Sequence, residues 1–221
     1  MTVLQKQINK MCLAALFLAL GWLMPFLTGQ IAEFGNMLLP MHIPVMLAGF
    51  ILGPAYGALL GFITPLTRSL IFGMPPILPT GLAMCFELMS YGFICGALFM
   101  LLTKYIKKFP TIVNVYISLV SAMIFGRLVW GLAYFLFNFA VADAAPFTGI
   151  FFLTEAFANA WPGILVQLVL IPALIQLLYS QKLIQNLLPS YAKVFNKFGF
   201  NKNQGDNSEA IEDKKVDSSS N

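Results

Sequence analysis

The stretch MHIPVMLAGFILGPAYGALLGFITPLTRSLIFGMPPILP, residues 41–79, decides the fold class. It is almost wholly apolar, is broken by prolines and glycines, and holds only two acidic or basic side chains, His42 and Arg68. A soluble core rarely holds so long a run of this kind, whereas a bilayer accepts it if the breaks are turns or are buried by neighbouring helices. The stretch therefore predicts a membrane protein in which His42 and Arg68 serve a function.

The composition of the whole chain agrees with this interpretation. Of its 221 residues, 59% are hydrophobic and only 10% are charged, and the mean hydropathy is +0.81, which is typical of a polytopic membrane protein. The net charge of +4 does not indicate nucleic-acid binding, because the lysines lie at the ends of apolar runs. The three cysteines have unrelated spacings and predict reduced packing residues, and we expect no metal and no cofactor.

The apolar runs predict an all-α bundle of six transmembrane helices. The second run has only 12 residues, and Gly53-Pro54 follows it as a turn signal. This pattern predicts a short helix, a turn and a longer helix that returns to the side it left; the alternative is one long helix with a broken middle. The last run is interrupted by Pro162 and Pro172. The predicted spans are residues 11–30, 42–53, 54–72, 80–102, 111–139 and 149–179.

The lysines predict the topology. With six crossings, one side of the membrane receives all the lysines near the span ends, whereas the loops 31–40 and 141–148 on the other side carry Glu33 and Asp143 and no lysine. The positive-inside rule then places both termini in the cytoplasm. We expect a six-helix substrate-binding domain over residues 1–181 and a cytoplasmic polar tail, largely disordered, over residues 182–221. The lysines are Lys6, Lys10, Lys104, Lys107, Lys108 and Lys182.

Four charged residues fall within the predicted spans, and their charges sum to zero: Arg68, Glu87, Arg127 and Glu155. Because a charge left in lipid costs several kcal/mol, we expect them to face the interior of the bundle, mostly in its outer half or near the midplane. Two helical stripes of polar and small residues accompany them. The stripes are Arg127, Gly131, Tyr134 and Asn138 on span five, and Glu155, Asn159, Gly163 and Val166 on span six.

These stripes predict an outward-opening cavity for a small polar organic solute. Trp130 and Trp161 flank the stripes, and His42 lies at the outer mouth. The alternative is that Glu87–Arg127 or Arg68–Glu155 are structural ion pairs and that His42 is a packing or capping group. The predicted substrate-binding residues are His42, Arg68, Glu87, Arg127, Trp130, Tyr134, Asn138, Glu155, Asn159 and Trp161.

The motifs argue against several classes of protein. The chain has one histidine and no nucleophile elbow, zinc-protease motif or metal-ligand set, so an enzyme is not expected. It has no P-loop, and no ring of charges or filter-like segment indicates a channel. Six spans without an inverted repeat are few for a stand-alone secondary transporter. A solute-binding membrane subunit that depends on a partner for energy fits best.

The block PMHIPVMLAGFILGPAYGALLGFITPLTRSLIFGMPP, together with Ala15-Leu-Phe-Leu-Ala19, resembles the substrate-binding S component of energy-coupling factor (ECF) vitamin transporters. The resemblance covers roughly residues 8–181. It implies a six-helix bundle in the bacterial cytoplasmic membrane that captures a vitamin from outside and docks on a transmembrane T component with two ABC-type ATPases. Ala15 and Ala19 would face the T component, and the loops 31–40 and 73–79 would cover the site.

Within that family the sequence is most similar to pantothenate S components. This similarity implies that Arg127 or Arg68 meets the carboxylate of the vitamin. Asn138, Asn159 and Tyr134 would meet its diol and amide. The alternatives are another vitamin or precursor, such as niacin, pyridoxine, hydroxymethylpyrimidine or folate, or a stand-alone secondary transporter.

Overall fold

The structure of the chain is a computed structural model that describes residues 3–27, 38–105, 110–139 and 147–180. Every regular element among these residues is helical. Residues 1–175 form one compact unit, and residues 176–221 form a second, of which only residues 176–180 are described. The elements in order are α1 (Val3–Leu27), α2 (His42–Leu52), α3 (Pro54–Phe72), a π-helical turn (Ile77–Gly81), α4 (Leu82–Tyr105), α5 (Thr111–Asn138), α6 (Gly149–Leu153), a second π-helical turn (Thr154–Ala158) and α7 (Trp161–Ser180).

The prediction of an all-helical membrane protein is confirmed for the described residues. Five helical segments are long and apolar enough to cross a bilayer. The count of six spans and the cytoplasmic termini stay predictions. The five segments are Gln7–Phe26, Pro54–Phe72, Ile77–Tyr105, Thr111–Asn138 and Trp161–Leu178.

Several predicted features lie outside the described residues. They are residues 31–37 of the first loop with Glu33, the lysines at 107 and 108, residues 141–146 of the fifth loop with Asp143, and the polar tail 182–221. Between α3 and α4, Gly73 ends α3 in the left-handed conformation with φ 69°. The turn predicted over residues 73–79 agrees with the structure: Leu78 is extended, with φ −116° and ψ 138°, so the chain is still kinked there although its backbone hydrogen bonds resemble a π-helical turn.

The helix α2 is short and lies inside the bundle. All eleven of its residues are buried, and at about 16 Å it is too short to cross a hydrocarbon layer of about 30 Å. The chain reverses at Gly53, whose φ of 102° favours glycine. A Cβ built on Gly57 would lie 2.7 Å from the Cα of Gly49, although these two residues would be about 12 Å apart in a continuous helix. The predicted turn is therefore confirmed over the alternative of one broken helix.

A set of glycines brings α2, α3 and α4 into backbone contact. A Cβ on Gly92 of α4 would come within 3.0 Å of the backbone of Gly57, and a Cβ on Gly61 would meet the backbone of Leu88 in the same way. Helices in lipid associate through such close contacts, because apolar burial alone does not favour protein over lipid tails. We call Gly49, Gly57, Gly61, Gly92 and Gly96 the glycine crossing. It places α4 at the centre of the bundle, where α4 also packs against α5.

The last predicted span is interrupted near Pro162, as the sequence predicts, whereas α7 continues through Pro172. Its first part is α6 and the π-helical turn Thr154–Ala158, and α7 begins only at Trp161. The break has a physical cause in Pro162, which lacks a backbone N–H and is tolerated only in the first turn of a helix. Consequently the predicted stripe on span six does not run along one helix face: Gly163 is buried, whereas Asn159 is exposed and Val166 is 40% exposed.

Candidate functional site

A buried polar network joins α2, α4 and α5. It consists of Glu87, Arg127, His42 and Tyr91, each at most 6% exposed. One carboxylate oxygen, Glu87 Oε1, lies 3.0 Å from Arg127 Nη1 and accepts a hydrogen bond of 3.1 Å from the Tyr91 hydroxyl. His42 Nε2 lies 3.6 Å from the same oxygen. Three elements are therefore connected through one buried carboxylate.

Local sequence explains how this network fits between the helices. Glu87 and Tyr91 are four residues apart on α4 and so share one face. Gly126 on α5 leaves room for the Tyr91 ring, because a Cβ there would lie 2.6 Å from that ring. The His42 ring meets the Tyr91 ring edge-on, with centroids 5.3 Å apart. A carboxylate in this setting requires a paired cation, since an unpaired buried charge is strongly destabilising.

Of the two ion pairs considered from the sequence, the structure forms only Glu87–Arg127. Arg68 and Glu155 form no ion pair with each other. Arg68 instead points toward α1, where its Nη1 donates a hydrogen bond of 3.2 Å to the carbonyl of Trp22. The guanidinium lies between the rings of Phe26 and Phe72, at 5.7 and 5.6 Å from their centroids.

Arg68 thus belongs to the contact between α1 and α3. The indole N–H of Trp22 also donates a hydrogen bond of 2.9 Å to Thr67 Oγ1. This second hydrogen bond joins the same part of α1 to α3. Ala15 and Ala19 are exposed along α1. Their predicted contact with a T component stays a prediction.

Aromatic rings fill the space where the last turns of α5 approach α6. The ring centroids of Trp130 and Tyr134 are 5.3 Å apart. Trp130 and Phe152 are stacked, with ring centroids 6.3 Å apart and an interplanar angle of 25°. The ring of Tyr134 also packs against the rings of Phe147 and Phe151, at centroid distances of 6.0 and 5.5 Å. We call these five residues the aromatic cluster. Trp130 is 7% exposed, whereas the other four are half-buried.

The cluster rests on small residues, which determine how closely the helices approach. Ala83 of α4, Ala133 of α5 and Ala156 of the second π-helical turn are buried beneath Trp130. Gly131 lets Phe152 lie against α5, because a Cβ at Gly131 would fall within 3.0 Å of the Phe152 ring. The aromatic rings of the site are therefore held by alanine and glycine contacts.

Glu155 lies in the π-helical turn beside this cluster. It is half-buried and accepts a hydrogen bond of 3.0 Å from Asn159 Nδ2. Within the described part of the chain Glu155 forms no ion pair.

The predicted site residues therefore fall into three groups. His42, Glu87 and Arg127 are in the buried network, and Arg68 is at α1. Trp130, Tyr134, Glu155 and Asn159 lie in or beside the aromatic cluster. Asn138 is half-buried at the end of α5, and Trp161 is 57% exposed at the start of α7. Their role in substrate binding stays a prediction.

Two residues of this region were not predicted from the sequence. Tyr91 completes the buried network, and its spacing of four residues from Glu87 was an available signal. Gln167 of α7 is 1% exposed, and its Nε2 donates to the carbonyl of Leu39 at 3.4 Å. A lone amide in an apolar run was the only signal for Gln167.

Comparison with known proteins adds one finding. Residues 9–175 match the family model described as ECF transporter, substrate-specific component. No curated protein and no solved structure was found to match the chain. The matched residues include the glycine crossing, the buried network and the aromatic cluster.

Proposed function

The chain belongs to the ECF transporter family of substrate-specific components, and from this membership we propose that it captures a small vitamin outside the bacterial cytoplasmic membrane. It is a transport subunit, and ATP hydrolysis belongs to partner proteins. The family match over residues 9–175 carries the proposal. The partly buried polar and aromatic side chains at the end of α5 support it, since a small-molecule site combines apolar walls with a few polar groups.

The proposed partners are a transmembrane T component and two ABC-type ATPases. The absence of a P-loop in the sequence requires that ATP be hydrolysed elsewhere. The small side chains of Ala15 and Ala19 are exposed and share one face of α1, and small residues allow a second helix to approach closely. In this proposal α1 docks on the T component and both termini are cytoplasmic. Six crossings are then needed, so the chain must cross at α2 although that helix alone covers only about half of the hydrocarbon layer.

For the cargo, the sequence resemblance favours pantothenate. The carboxylate of that vitamin requires a cation, and Arg127 lies on α5 about one turn before Trp130. Tyr134, Asn138 and Asn159 would meet the diol and the amide. Because Arg127 already bonds Glu87 at 3.0 Å, pantothenate would have to share or replace that bond. The other cargoes under consideration are niacin, pyridoxine, hydroxymethylpyrimidine and folate.

The pantothenate assignment is tested by calorimetry on Arg127 variants. We expect Arg127→Ala to abolish high-affinity binding while the protein still inserts into the membrane. Arg127→Lys keeps the positive charge without the bidentate fork and should weaken binding less. Unchanged pantothenate affinity in both variants would refute the role of Arg127.

The proposed function as a whole is tested by affinity purification from the native membrane. We expect the T component and both ATPases to co-purify, and mass spectrometry of the bound small molecule to identify the cargo. Solute uptake by the purified chain alone, driven by an ion gradient, would instead indicate a secondary transporter and would contradict the proposal.

The contact with the T component has its own test. Ala15→Arg with Ala19→Arg should block uptake in cells and leave cargo binding intact, because two long cations keep a partner helix away from this face. The control is Leu165→Arg with Val169→Arg, which has the same spacing on exposed positions of α7. Normal uptake by the α1 variant, with its presence in the membrane confirmed, would count against this surface.

A further inference from the structure

The contact between α4 and α5 is polar and buried at the end where the two helices are connected. Asn114 and Thr111 of α5 are 0% and 2% exposed, and Thr103 of α4 is 6% exposed. The buried face of α5 that carries Thr111 and Asn114 packs against α4. Because the helices are antiparallel and Glu87 meets Arg127, equal steps toward their connection bring Thr103 opposite Thr111. We call Thr103, Thr111 and Asn114 the polar seam.

Two side chains of the polar seam lack a hydrogen-bond partner, unlike the hydroxyls around them. The hydroxyl of Thr103 donates to the Phe99 carbonyl at 2.6 Å, and that of Ser118 donates to the Asn114 carbonyl at 2.7 Å. Within the described part of the chain, neither the side-chain amide of Asn114 nor the hydroxyl of Thr111 has a partner. Since buried polar groups in folded proteins are nearly always hydrogen-bonded, to protein or to ordered water, these atoms require one.

The burial of the site limits what this partner can be. With Asn114 and Thr111 at most 2% exposed, a solute of the size of a vitamin has no access to them. A buried water molecule makes about three hydrogen bonds to polar groups that are otherwise unsatisfied. Asn114 offers a donor and an acceptor, the Thr111 hydroxyl offers both, and residues three apart on a helix share one face. One water molecule can therefore satisfy both side chains.

We infer that the polar seam is a binding site for ordered water, held by the Asn114 amide and the Thr111 hydroxyl, with Thr103 Oγ1 as a further acceptor. At this end α5 is joined to α4 through water, whereas the glycine crossing joins its helices directly through backbone. The inference is independent of the proposed function, because none of these residues is assigned to the cargo or to the T component.

The first test is water-edited solid-state NMR on the full-length chain in lipid bilayers, with isotope-labelled asparagine and valine. The Asn114 side-chain signal is identified by its loss in Asn114→Leu. We expect water magnetisation to reach the Asn114 amide several-fold faster than the methyl groups of Val115, which is 1% exposed and apolar. Equally slow transfer to both residues would overturn the inference.

The second test is the direction in which thermal stability changes. Thr111→Val and Asn114→Leu keep roughly the shape of each side chain and remove its polar atoms. If water is bound, each variant deprives it of a partner and should lower the thermal midpoint by about 2–4 °C. If the seam is dry, each variant removes an unpaired polar group and raises the midpoint.

The control is Ser118→Ala on the same buried face. Its hydroxyl is satisfied within its own helix, so the midpoint should change by less than about 2 °C. A raised or unchanged midpoint in both Thr111→Val and Asn114→Leu would overturn the inference. Should either variant fail to fold, the NMR measurement on the unmodified chain decides, with the Asn114 signal then assigned by sequential correlation to Val115.

Discussion

The glycine crossing and the aromatic cluster are built in opposite ways. At the glycine crossing, α2, α3 and α4 meet backbone to backbone, and no side chain lies between them that could move to make room. At the aromatic cluster, α5 and α6 meet through large rings, of which Trp130 is buried and Tyr134, Phe151 and Phe152 are half-buried. Because backbone contacts yield less than side-chain contacts do, we expect α2, α3 and α4 to form a fixed frame and ligand-dependent change to be concentrated at the aromatic cluster.

The largest expected effect is at the glycine crossing. Gly92→Ala places a Cβ within 3.0 Å of the Gly57 backbone, and the helices must separate because backbone cannot yield as a side chain does. We expect a loss of stability of about 3 kcal/mol or failure to fold, measured as thermal stability and monodisperse yield in detergent. The control is Gly149→Ala, where nothing lies within 4 Å of the added Cβ. Equal stability of the two variants would mean that the crossing is not rigid.

The next effect is in the buried network, which stabilises the frame by charge. Glu87→Gln leaves Arg127 buried without its anion, and we expect destabilisation of about 3 kcal/mol or more. Glu155→Gln is the matched control, because Glu155 is half-buried and forms no ion pair among the described residues. The thermal stability of this control variant should therefore change little. If Glu155→Gln were the more destabilised variant, the division between frame and site would be wrong.

A double substitution sharpens this result. Glu87→Gln combined with Arg127→Gln removes both charges and should recover part of the lost stability, because no unpaired charge remains. The measurement is the same thermal unfolding in detergent. Additive losses in the double variant would show that the two side chains do not interact energetically.

The smallest effect is at Gly131. Its added Cβ meets the ring of Phe152 rather than backbone, and a half-buried ring can turn aside at small cost. We expect Gly131→Ala to change thermal stability by less than about 1 kcal/mol and to alter cargo affinity several-fold. A stability loss as large as that of Gly92→Ala would contradict the view that this region adapts.

Much of the frame was predictable from sequence, and the reasons are specific. The turn at Gly53-Pro54 and the short helix before it follow from the proline–glycine pattern, and the start of α5 follows from Pro110. The interruption of the last span follows from Pro162, but the π-helical turn before it was not predictable, because such a turn changes the number of residues per turn without a composition signal at Thr154–Ala158.

The sequence predicted which residues belong to the candidate site better than it predicted which of them contact each other. Glu87 and Arg127 were recognised as possible partners, and they form an ion pair. The direction of Arg68 toward α1 was not predictable, because its partner is the backbone carbonyl of Trp22, which sequence patterns do not reveal. The contacts of Phe147, Phe151 and Phe152 were also missed, since phenylalanine is common in any membrane span.

The complete burial of α2 has a consequence for how the protein is made. A segment of eleven apolar residues lacks the length to be held across a bilayer as it leaves the insertion machinery. Because the chain turns back at Gly53 directly into α3, we expect the two helices to enter lipid together as one hairpin. The helices α1 and α4, which pack against this hairpin, would then cover it.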